Sequence, residues 1–439
     1  MSSKTFPTSA EAFLDRFVNL ERSPDPLYPR KLERMTRWLE ALGNPDRAGY
    51  RVLTVAGTKG KGSTAAMIAS VLECAGRRTG LYTSPHLESW TERIRVDGKS
   101  IDAAEADAIA CFLEEHAAET AFPHGVPTYF EMLTAMALVH FAAQHCEAAV
   151  LEVGLGGEYD AMNACRNEVA VITPIGRDHE RVLGTDPARI ARAKCGIIQE
   201  GSSAVSGLQG PEAMRVIEET SRRRAAPLLC VGKDAHVEPV AVSESSQAFF
   251  VRGPWGKEGP FDLPLVGAHQ AQNAATAYLA LRVFSQKTGF KLTEDAIARG
   301  FRAVSWPGRI ETVSRDPRVV LDGAHTPESA RALREALARH FTFGRLEMVL
   351  GMLNDKDPAA FLEPFRGLAR GVRIVEPACE RSFGADEIAA RIGSLGIPFQ
   401  KYASLESALK DARDAAGRDG LVLVTGSLYL VGEARKLLA

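Results

Sequence analysis

The residues best suited to chemistry lie in one glycine-rich segment, VLTVAGTKGKGSTAAMIASVLECAG, from Val52 to Gly76. An apolar, β-rich run precedes the glycines and an apolar helical pattern follows them. Glycines let backbone N–H groups face an anion, a lysine adds positive charge, and a hydroxyl can bind Mg²⁺. The segment therefore predicts a phosphate-binding loop. Its candidate contacts are Gly57, Thr58, Lys59, Gly60, Lys61, Gly62, Ser63 and Thr64.

The spacing of this loop departs from the standard pattern GxxxxGK[ST]. Val55 stands where the first glycine is expected, and Gly62 separates Lys61 from Ser63. The alternative is a strand–helix turn that binds nothing. A turn without a ligand accounts poorly for this density of glycine, lysine and hydroxyl side chains, so we favour the phosphate site.

Composition narrows the class of protein. The 439 residues are 45% hydrophobic and 25% charged, which is typical of a soluble chain with two or three domains. The formal charge of −2 gives no bulk attraction to nucleic acid or to an anionic membrane, so neither is expected as a partner. The seven cysteines are scattered without metal-site spacing, and the first residues lack a signal-peptide pattern. The odd number of cysteines fits buried thiols in a reducing cytoplasm, so we expect a cytoplasmic protein. We also expect a monomer.

Strand-like and helical segments alternate along the chain, which predicts βαβ crossovers and a mostly parallel α/β sheet. A change to short runs at 227–265 predicts antiparallel edge strands. The Pro- and Gly-rich stretch 305–318 predicts a domain boundary, giving domains at 1–305 and 306–439. The predicted strands before that boundary are 51–56, 79–83, 147–153 and 168–173, and the predicted helices are 61–75, 102–118, 129–145, 268–286 and 293–302.

The loop GTKGKGS resembles that of the Mur ligase superfamily, in its folylpolyglutamate synthase and dihydrofolate synthase branch. Further segments resemble the family in the same order along the chain. They are TSPHLESWTERIRVDG (83–98), TYFEM (128–132), LEVGLGGEYDAMN (151–163), DHERVLG (178–184), AKCGII (193–198), QNAATA (272–277), PGR (307–309), LDGAHTPES (321–329), GMLNDKD (351–357) and GSLYLVGEAR (426–435). The resemblance implies an ATP-dependent ligase that joins a folate carboxylate to L-glutamate through an acyl phosphate. It also implies a P-loop domain followed by a smaller Rossmann-like domain.

Four candidate metal ligands are Ser63, Ser84, Glu152 and His179, each at or just beyond the C-terminal end of a predicted strand. A carboxylate that attacks ATP brings two anions together, so metal ions must screen the charge, and oxygen ligands suit Mg²⁺. The resemblance implies two Mg²⁺ ions, one held by Ser84, Glu152 and His179, the other by Ser63 or Thr64. A turn serine, a strand-end carboxylate and a structural histidine are the alternative interpretations.

The resemblance also implies roles for residues beyond the loop. Asn273, Arg309 and Asp322 would contact ATP, although Asp322 alone could be a turn residue. His325 and Ser427 would lie where the family holds glutamate or nucleotide, and Lys61, His179, Lys194 and His325 are the expected catalytic groups. The folate would contact Thr128, Phe130 and Asp160, with Phe130 stacking on the pterin.

Lys194 lies on a predicted helix, in ARIARAKCGII. A cation there would repel Mg²⁺, but a partly buried neutral amine can react with CO₂ to give an anionic carbamate. The resemblance implies this carbamylated lysine as a metal ligand. A surface lysine beside Arg189 and Arg192 is the alternative.

Some residues depart from the usual bacterial spelling of the family, namely Lys59, Glu158 and Thr326. The segment Leu27-Tyr28-Pro29-Arg30 does not match the bifunctional enzymes, so we favour polyglutamate extension over added dihydrofolate synthase activity. Two other classes stay open: a Mur-type ligase for a nucleotide-linked cell-wall precursor, and a non-catalytic nucleotide-binding relative. Phosphate release that requires folate and glutamate together would separate the first reading from both.

Overall fold

The computed structural model describes residues 9–23, 25, 31–176 and 180–438. His179 and the segment 27–30, both singled out above, lie outside the described residues. In the described parts of the chain the helices are α1 (Ala10–Leu14), α2 (Leu32–Ala41), α3 (Lys61–Cys74), α4 (Ala103–Glu119), α5 (Tyr129–Ala143), α6 (Glu180–Leu183), α7 (Pro187–Cys195), α8 (Pro211–Arg223), α9 (Ala268–Thr288), α10 (Glu294–Ala303), α11 (Pro327–His340), α12 (Pro358–Leu362), α13 (Ala385–Ile392), α14 (Leu405–Ala416) and α15 (Leu428–Leu438).

The strands belong to three sheets. They are β1 (Arg51–Ala56), β2 (Thr79–Tyr82), β3 (Ile94–Val96), β4 (Lys99–Ser100), β5 (Ala148–Glu152), β6 (Val169–Ile172), β7 (Ser203–Ser206), β8 (Leu228–Cys230), β9 (His236–Val242), β10 (Gln247–Gly253), β11 (Gly256–Leu263), β12 (Glu311–Arg315), β13 (Arg318–Asp322), β14 (Arg345–Leu350), β15 (Ala369–Ile374), β16 (Phe399–Lys401) and β17 (Gly420–Thr425).

The largest sheet has the strand order β4-β3-β2-β5-β1-β6-β7-β8 and is parallel except at β3 and β4. Its central strands are apolar and buried because helices cover both faces. Side chains of α3 and α9 pack on one face, with α10 packed behind α3, and those of α4 and α5 pack on the other. The predicted α/β architecture with a mostly parallel sheet is confirmed. Because the strands are parallel, their C-terminal ends share one edge, where ligands bind in such sheets.

The prediction of antiparallel edge strands over 227–265 is wrong in part. β8 pairs in parallel with β7 and extends the large sheet, whereas β9, β10 and β11 form a separate antiparallel sheet. Short alternating runs indicate strands but carry no information about which neighbour they pair with, so the sequence pattern could not separate the two cases.

The C-terminal sheet has the order β12-β13-β17-β14-β15-β16, antiparallel only between β12 and β13. Helices α11 to α15 follow or connect its strands, so the sheet has the layered α/β form that the alternation predicts. We propose that the two domains divide between residues 305 and 306. The start of β12 at Glu311 supports this division, since every later strand belongs to the C-terminal sheet.

Within the described ranges, no helix has both the length and the apolar character required to cross a membrane.

The last turn of α3 makes stability depend on pH. Burial and the neighbouring Asp97 raise the pKa of Glu73 to about 7, against the opposing effects of a Gly98 backbone hydrogen bond and Arg95. A carboxyl whose pKa is raised on folding stabilises the fold fully below its unfolded pKa of about 4.3, and this contribution is lost as pH rises through 7. Glu73→Gln is therefore expected to exceed the parent in stability at pH 8 by roughly 1–2 kcal/mol.

Chemical denaturation of both proteins at pH 5 and pH 8 measures this effect. The parent should lose stability between the two values and Glu73→Gln should lose less. Glu212→Gln, at an exposed position on α8, is the control and should follow the parent. Equal losses in the parent and in Glu73→Gln would contradict the assignment.

Candidate active site

The glycine-rich loop joins β1 to α3 and is folded against the end of β6. The backbone N–H groups of Thr58 and Lys59 donate to the carbonyl of Pro174, at 3.0 and 3.1 Å. Gly57 has a φ of +149°, and a Cβ there would lie 1.9 Å from Oγ1 of Thr173. Glycine is therefore required for this close approach of loop and strand.

The loop delivers the N-terminus of α3 to the C-terminal edge of the sheet. Lys61 is the first residue of α3, so its N–H and those of Gly62 and Ser63 have no acceptor one turn earlier. Thr64 is fully buried, and its Oγ1 has no hydrogen-bond partner among the described residues. Unpaired N–H groups, the helix dipole and Lys61 together suit a polyphosphate.

Helix α9 closes this loop from the other side through Asn273, which is buried. Gly60 has a φ of +81°, and a Cβ there would lie 2.3 Å from Oδ1 of Asn273. Gln270 connects the two elements, since its Nε2 donates to Oγ of Ser63 at 3.3 Å and its Oε1 accepts from Nδ2 of Asn273 at 3.1 Å. Sequence reasoning missed Gln270, although its spacing of three residues from Asn273 places both on one helix face.

Glu152 and Ser84 meet at the ends of neighbouring strands β5 and β2. Glu152 is 3% exposed, and its Oε2 accepts from the backbone N–H of Ser84 at 3.1 Å. Burial raises the pKa of Glu152, while Lys61, the Ser84 bond and Arg309 act in the opposite direction. A buried carboxylate with so little direct pairing is costly unless another cation joins it.

Lys194 lies near the end of α7 and is 4% exposed, so the interpretation as a surface lysine is wrong. Its Nζ donates to the carbonyl of Gly57 at 2.7 Å. Sequence spacing placed this residue on a helix, but only the packing of α7 under the loop brings the amine to the phosphate side of the sheet.

The oxygen atoms at this edge suit Mg²⁺. Ser63 and Thr64 supply hydroxyls on α3, and Ser84 and Glu152 supply a hydroxyl and a carboxylate on the adjacent strands, which are the hard ligands that Mg²⁺ prefers. Among the described residues, the buried Oγ1 of Thr64 has no hydrogen-bond partner, so this oxygen could coordinate a metal ion. Among residues 9–23, 25, 31–176 and 180–438, no group of three or more His, Cys, Asp or Glu side chains is placed to hold a metal ion. The fourth predicted ligand, His179, is outside these ranges.

The second domain contributes Asp322 and Arg309. Asp322 is 7% exposed, and its carboxylate accepts from the backbone N–H groups of Ile310 at 3.0 Å and Ala324 at 2.9 Å. Burial raises the pKa of Asp322, and Arg309 opposes the rise. Asp322 thus fixes the start of β12 to the turn after β13, whatever further contact it makes to a nucleotide.

His325 and Ser427 follow β13 and β17, which are adjacent and parallel. Nδ1 of His325 donates to the carbonyl of Gly323 at 2.8 Å, which orients the ring. Ser427 is 2% exposed, and its Oγ accepts from the backbone N–H of Leu430 at 3.1 Å. The two predicted glutamate contacts therefore lie at the same edge of the C-terminal sheet.

A cavity of about 220 Å³ lies between the large sheet and the C-terminal part of the chain. Thr83, Pro85 and Arg95 line it from the large sheet, and Trp306, Arg309 and Leu428 line it from the C-terminal part of the chain. Trp306 contacts the phosphate loop, since a Cβ on Gly62 would lie 2.8 Å from its ring, and Arg95 lies 5.5 Å from the Trp306 ring centroid. Sequence reasoning missed Trp306, because neither its type nor its spacing distinguishes it from a core residue.

Two of the three predicted folate contacts, Phe130 and Asp160, lie at the turn after β5. The ring of Phe130 would be 2.6 Å from a Cβ on Gly154, and the N–H of Gly154 donates to Asp160 at 3.1 Å. Burial raises the pKa of Asp160 to about 6, against three backbone N–H bonds that lower it. Thr128 caps α5, since its Oγ1 accepts from the N–H of Glu131 at 3.3 Å. Phe130 and Asp160 thus meet at Gly154, Thr128 lies two residues before Phe130 at the start of α5, and each also has a local structural role.

Comparison with known proteins decides the family. The chain matches the Mur ligase middle domain over residues 55–281 and the glutamate ligase domain of Mur ligases over 308–428. The dihydrofolate synthase/folylpolyglutamate synthase of Bacillus subtilis is 32% identical over 93% of this chain and 94% of its own length. This chain belongs to the folylpolyglutamate and dihydrofolate synthase family of Mur ligases.

Two further members of the family are similar to this chain. The folylpolyglutamate synthase of Mycobacterium tuberculosis, solved in complex with ADP, is 33% identical with a TM-score of 0.88, and the match covers 98% of this chain and 97% of that one. A probable bifunctional folylpolyglutamate synthase/dihydropteroate synthase of Halobacterium salinarum is 36% identical over 90% of this chain, which spans 48% of that protein's length. The family resemblance inferred from the sequence motifs is confirmed.

Proposed function

We propose that this protein is an ATP-dependent ligase that adds L-glutamate to a folate, preferably a tetrahydrofolate, through an acyl phosphate. Membership of the folylpolyglutamate and dihydrofolate synthase family over nearly the whole chain carries this proposal. The phosphate loop, the Glu152–Ser84 pair and the buried Lys194 support it, because they collect at one edge of the large sheet.

The reaction uses that edge in two steps. The N-terminus of α3 and Lys61 hold the phosphates of ATP while a folate carboxylate oxygen attacks the γ-phosphorus, and ADP leaves. The amine of glutamate then attacks the acyl carbon, phosphate leaves, and the amide forms. Two Mg²⁺ ions, one held by Ser84, Glu152 and His179 and the other by Ser63 or Thr64, would screen the negative charge that both steps bring together.

The remaining predicted residues have supporting roles. Asn273, Arg309 and Asp322 contact the nucleotide, Thr128, Phe130 and Asp160 contact the folate, and His325 and Ser427 contact glutamate. His325 and Ser427 follow adjacent strands of the C-terminal sheet, which supports binding of glutamate by the C-terminal domain.

Mass analysis of products tests the function. Purified protein with tetrahydrofolate, ATP, Mg²⁺ and glutamate should give a folate heavier by one glutamyl unit, and ADP and phosphate should form in equal amounts. Phosphate release that depended on a nucleotide-linked cell-wall precursor, or nucleotide binding without turnover, would contradict the proposal.

A second activity, synthesis of dihydrofolate from dihydropteroate and glutamate, is the alternative. The name of the B. subtilis relative, which combines both synthases, favours it. The segment 27–30, which differs from the bifunctional spelling, lies outside the described residues. Replacing tetrahydrofolate by dihydropteroate in the same assay separates the cases, because a polyglutamate-only enzyme should leave dihydropteroate unchanged.

Replacing Arg309 should lower turnover severely. Its guanidinium packs on Gly323, next to Asp322, where a second-domain cation can reach the phosphates. We expect Arg309→Ala to reduce turnover about 100-fold or more, the size typical of removing one preorganised charge from a reaction centre. Arg315→Ala, at an exposed position on β12, is the control and should stay close to the parent.

We also propose that the two domains close over ATP, since candidate contacts lie in both. Small-angle scattering with and without ATP and folate measures this, and the ligands should make the protein more compact. One unchanged compactness would count against closure.

A further inference from the structure

A partly buried cluster of charged and polar side chains lies beside the proposed site, and one member, His86, lines the cavity described above. Nη1 and Nη2 of Arg93 donate to Oε1 and Oε2 of Glu21 at 2.9 and 2.7 Å, and Nε of Arg93 donates to Nδ1 of His86 at 2.9 Å. Arg93 is only 2% exposed. Burial would raise the pKa of Glu21, but the charge and hydrogen bonds of Arg93, together with the charge of Arg381, outweigh it and hold that pKa below its usual value. Burial and Arg93 lower the pKa of His86 to about 4, so its ring is neutral and can accept the bond.

This cluster supports two parts of the proposed site. His86 comes two residues after Ser84, in the loop that donates to Glu152. The guanidinium of Arg93 lies 5.9 Å from the ring centroid of Tyr129, which stands between the folate candidates Thr128 and Phe130. A displacement of Glu21 or Arg93 would therefore be transmitted both to the proposed metal ligand Ser84 and to the proposed folate contacts Thr128 and Phe130.

Arg381 of the second domain reaches the cluster. Arg381, in the segment between β15 and α13, donates through Nη1 to the main-chain carbonyl of Glu21. Its Nη2 lies 3.5 Å from Oδ1 of Asp355, and its own carbonyl accepts from the N–H of Asn354 at 2.8 Å. Asn354 and Asp355 belong to the segment GMLNDKD after β14. Arg381 thus joins a loop of the second domain to the cluster that supports the first-domain site.

We infer that Arg381 is a positioning residue of the ligation reaction. By bonding to Glu21 it sets the distance between the glutamate side of the site, on the second domain, and the folate and metal side, on the first. This inference rests on the proposed function, because only a reaction that needs both sides makes the distance matter. A misplacement of about 1 Å can cost on the order of 100-fold in rate.

The chemistry predicts a specific failure when Arg381 is lost. Formation of the folate acyl phosphate depends mainly on the phosphate loop and on Arg309 close to the domain boundary, so it should be affected less, but the glutamate amine is no longer aligned with the acyl phosphate. Water then attacks the acyl phosphate instead, which regenerates the folate carboxylate and releases phosphate without making an amide. The ratio of phosphate released to glutamate joined should rise above one.

Steady-state kinetics of Arg381→Ala test this. We expect ligation to fall about 10- to 100-fold, as for loss of a charge-assisted hydrogen bond, and the phosphate-to-glutamate ratio to rise several-fold. Arg381→Lys keeps one donor and should recover part of the coupling. Arg366→Ala is the matched control, since Arg366 pairs with Glu363 at 3.6 Å inside the second domain. Thermal unfolding of each variant confirms that it folds.

The result that overturns the inference is an Arg381→Ala protein with the same ligation rate and ratio as Arg366→Ala. Lower activity at an unchanged ratio would also overturn it, since loss of folded enzyme lowers both products equally. Hydrogen exchange over residues 15–23 gives a readout that needs no activity, and Arg381→Ala should exchange faster there. If the parent joins no glutamate at all, the proposed function fails, and this exchange measurement still decides whether Arg381 holds the segment.

Discussion

Replacement of Lys194 by alanine is expected to remove most of the ligase activity, roughly 100-fold or more, while the fold is retained. The amine is buried and donates to the carbonyl of Gly57 in the phosphate loop. An ammonium at this depth beside a cation site is unfavourable, whereas the neutral amine can react with CO₂. We propose that the resulting carbamate supplies an anionic oxygen to Mg²⁺.

Two further measurements separate the carbamate from an ordinary lysine. Short carboxylic acids such as formate and acetate should partly restore Lys194→Ala, because they place a carboxylate oxygen where the carbamate was. Lys194→Arg should be as inactive as Lys194→Ala, since a guanidinium keeps the charge but cannot be carbamylated. Arg192→Ala, at an exposed position on the same helix, is the control and should be nearly normal. Normal turnover in Lys194→Arg would show the carbamate idea to be wrong.

Replacement of Glu152 by glutamine is expected to abolish turnover, with a loss on the order of 100- to 1000-fold. The glutamine oxygen can still accept the bond from the Ser84 N–H, so the local structure should persist. The substitution removes the negative charge that we propose binds Mg²⁺. Because Glu152 is buried, that charge is unfavourable when no Mg²⁺ is bound. The unfolding free energy without metal should therefore not fall, and this can be measured by denaturation in a chelating buffer.

The same experiment extends to His179, the metal ligand predicted from the sequence. His179→Ala is expected to lose turnover as Glu152→Gln does, with an unchanged fold. Titration of Mg²⁺ into each variant measures the effect, and higher Mg²⁺ should recover activity only in part. Glu168→Gln at the opposite end of the sheet serves as the control for a strand-flanking carboxylate, because Glu168 bonds to Arg51 and the Val52 N–H instead. Near-normal turnover of both site variants at low Mg²⁺ would refute the assignment.

The sequence by itself determined the local elements. The apolar run at 51–56, the glycines at 57, 60 and 62 and the apolar pattern after Lys61 specify a strand, a turn and a helix, and the structure has β1, the loop and α3 at these places. Each signal acts over a few residues, through side-chain periodicity and the backbone freedom of glycine. Parallel strands follow from the alternation, and with them the common edge on which the candidate residues lie.

Only the tertiary structure decided which of those residues meet. From the sequence, Lys194 fitted a surface position equally well, because the neighbouring Arg189 and Arg192 do not indicate which face of the helix is buried. In the structure α7 packs under the phosphate loop, and this packing excludes the Lys194 amine from water. Trp306 and Arg381 carried no local signal, and Gln270 carried only its spacing from Asn273. Each acts through a partner distant in the sequence, namely Gly62, Glu21 and Ser63, respectively. Contacts of that kind depend on how helices and domains pack, and packing is set by the summed burial of many side chains, which no short segment encodes.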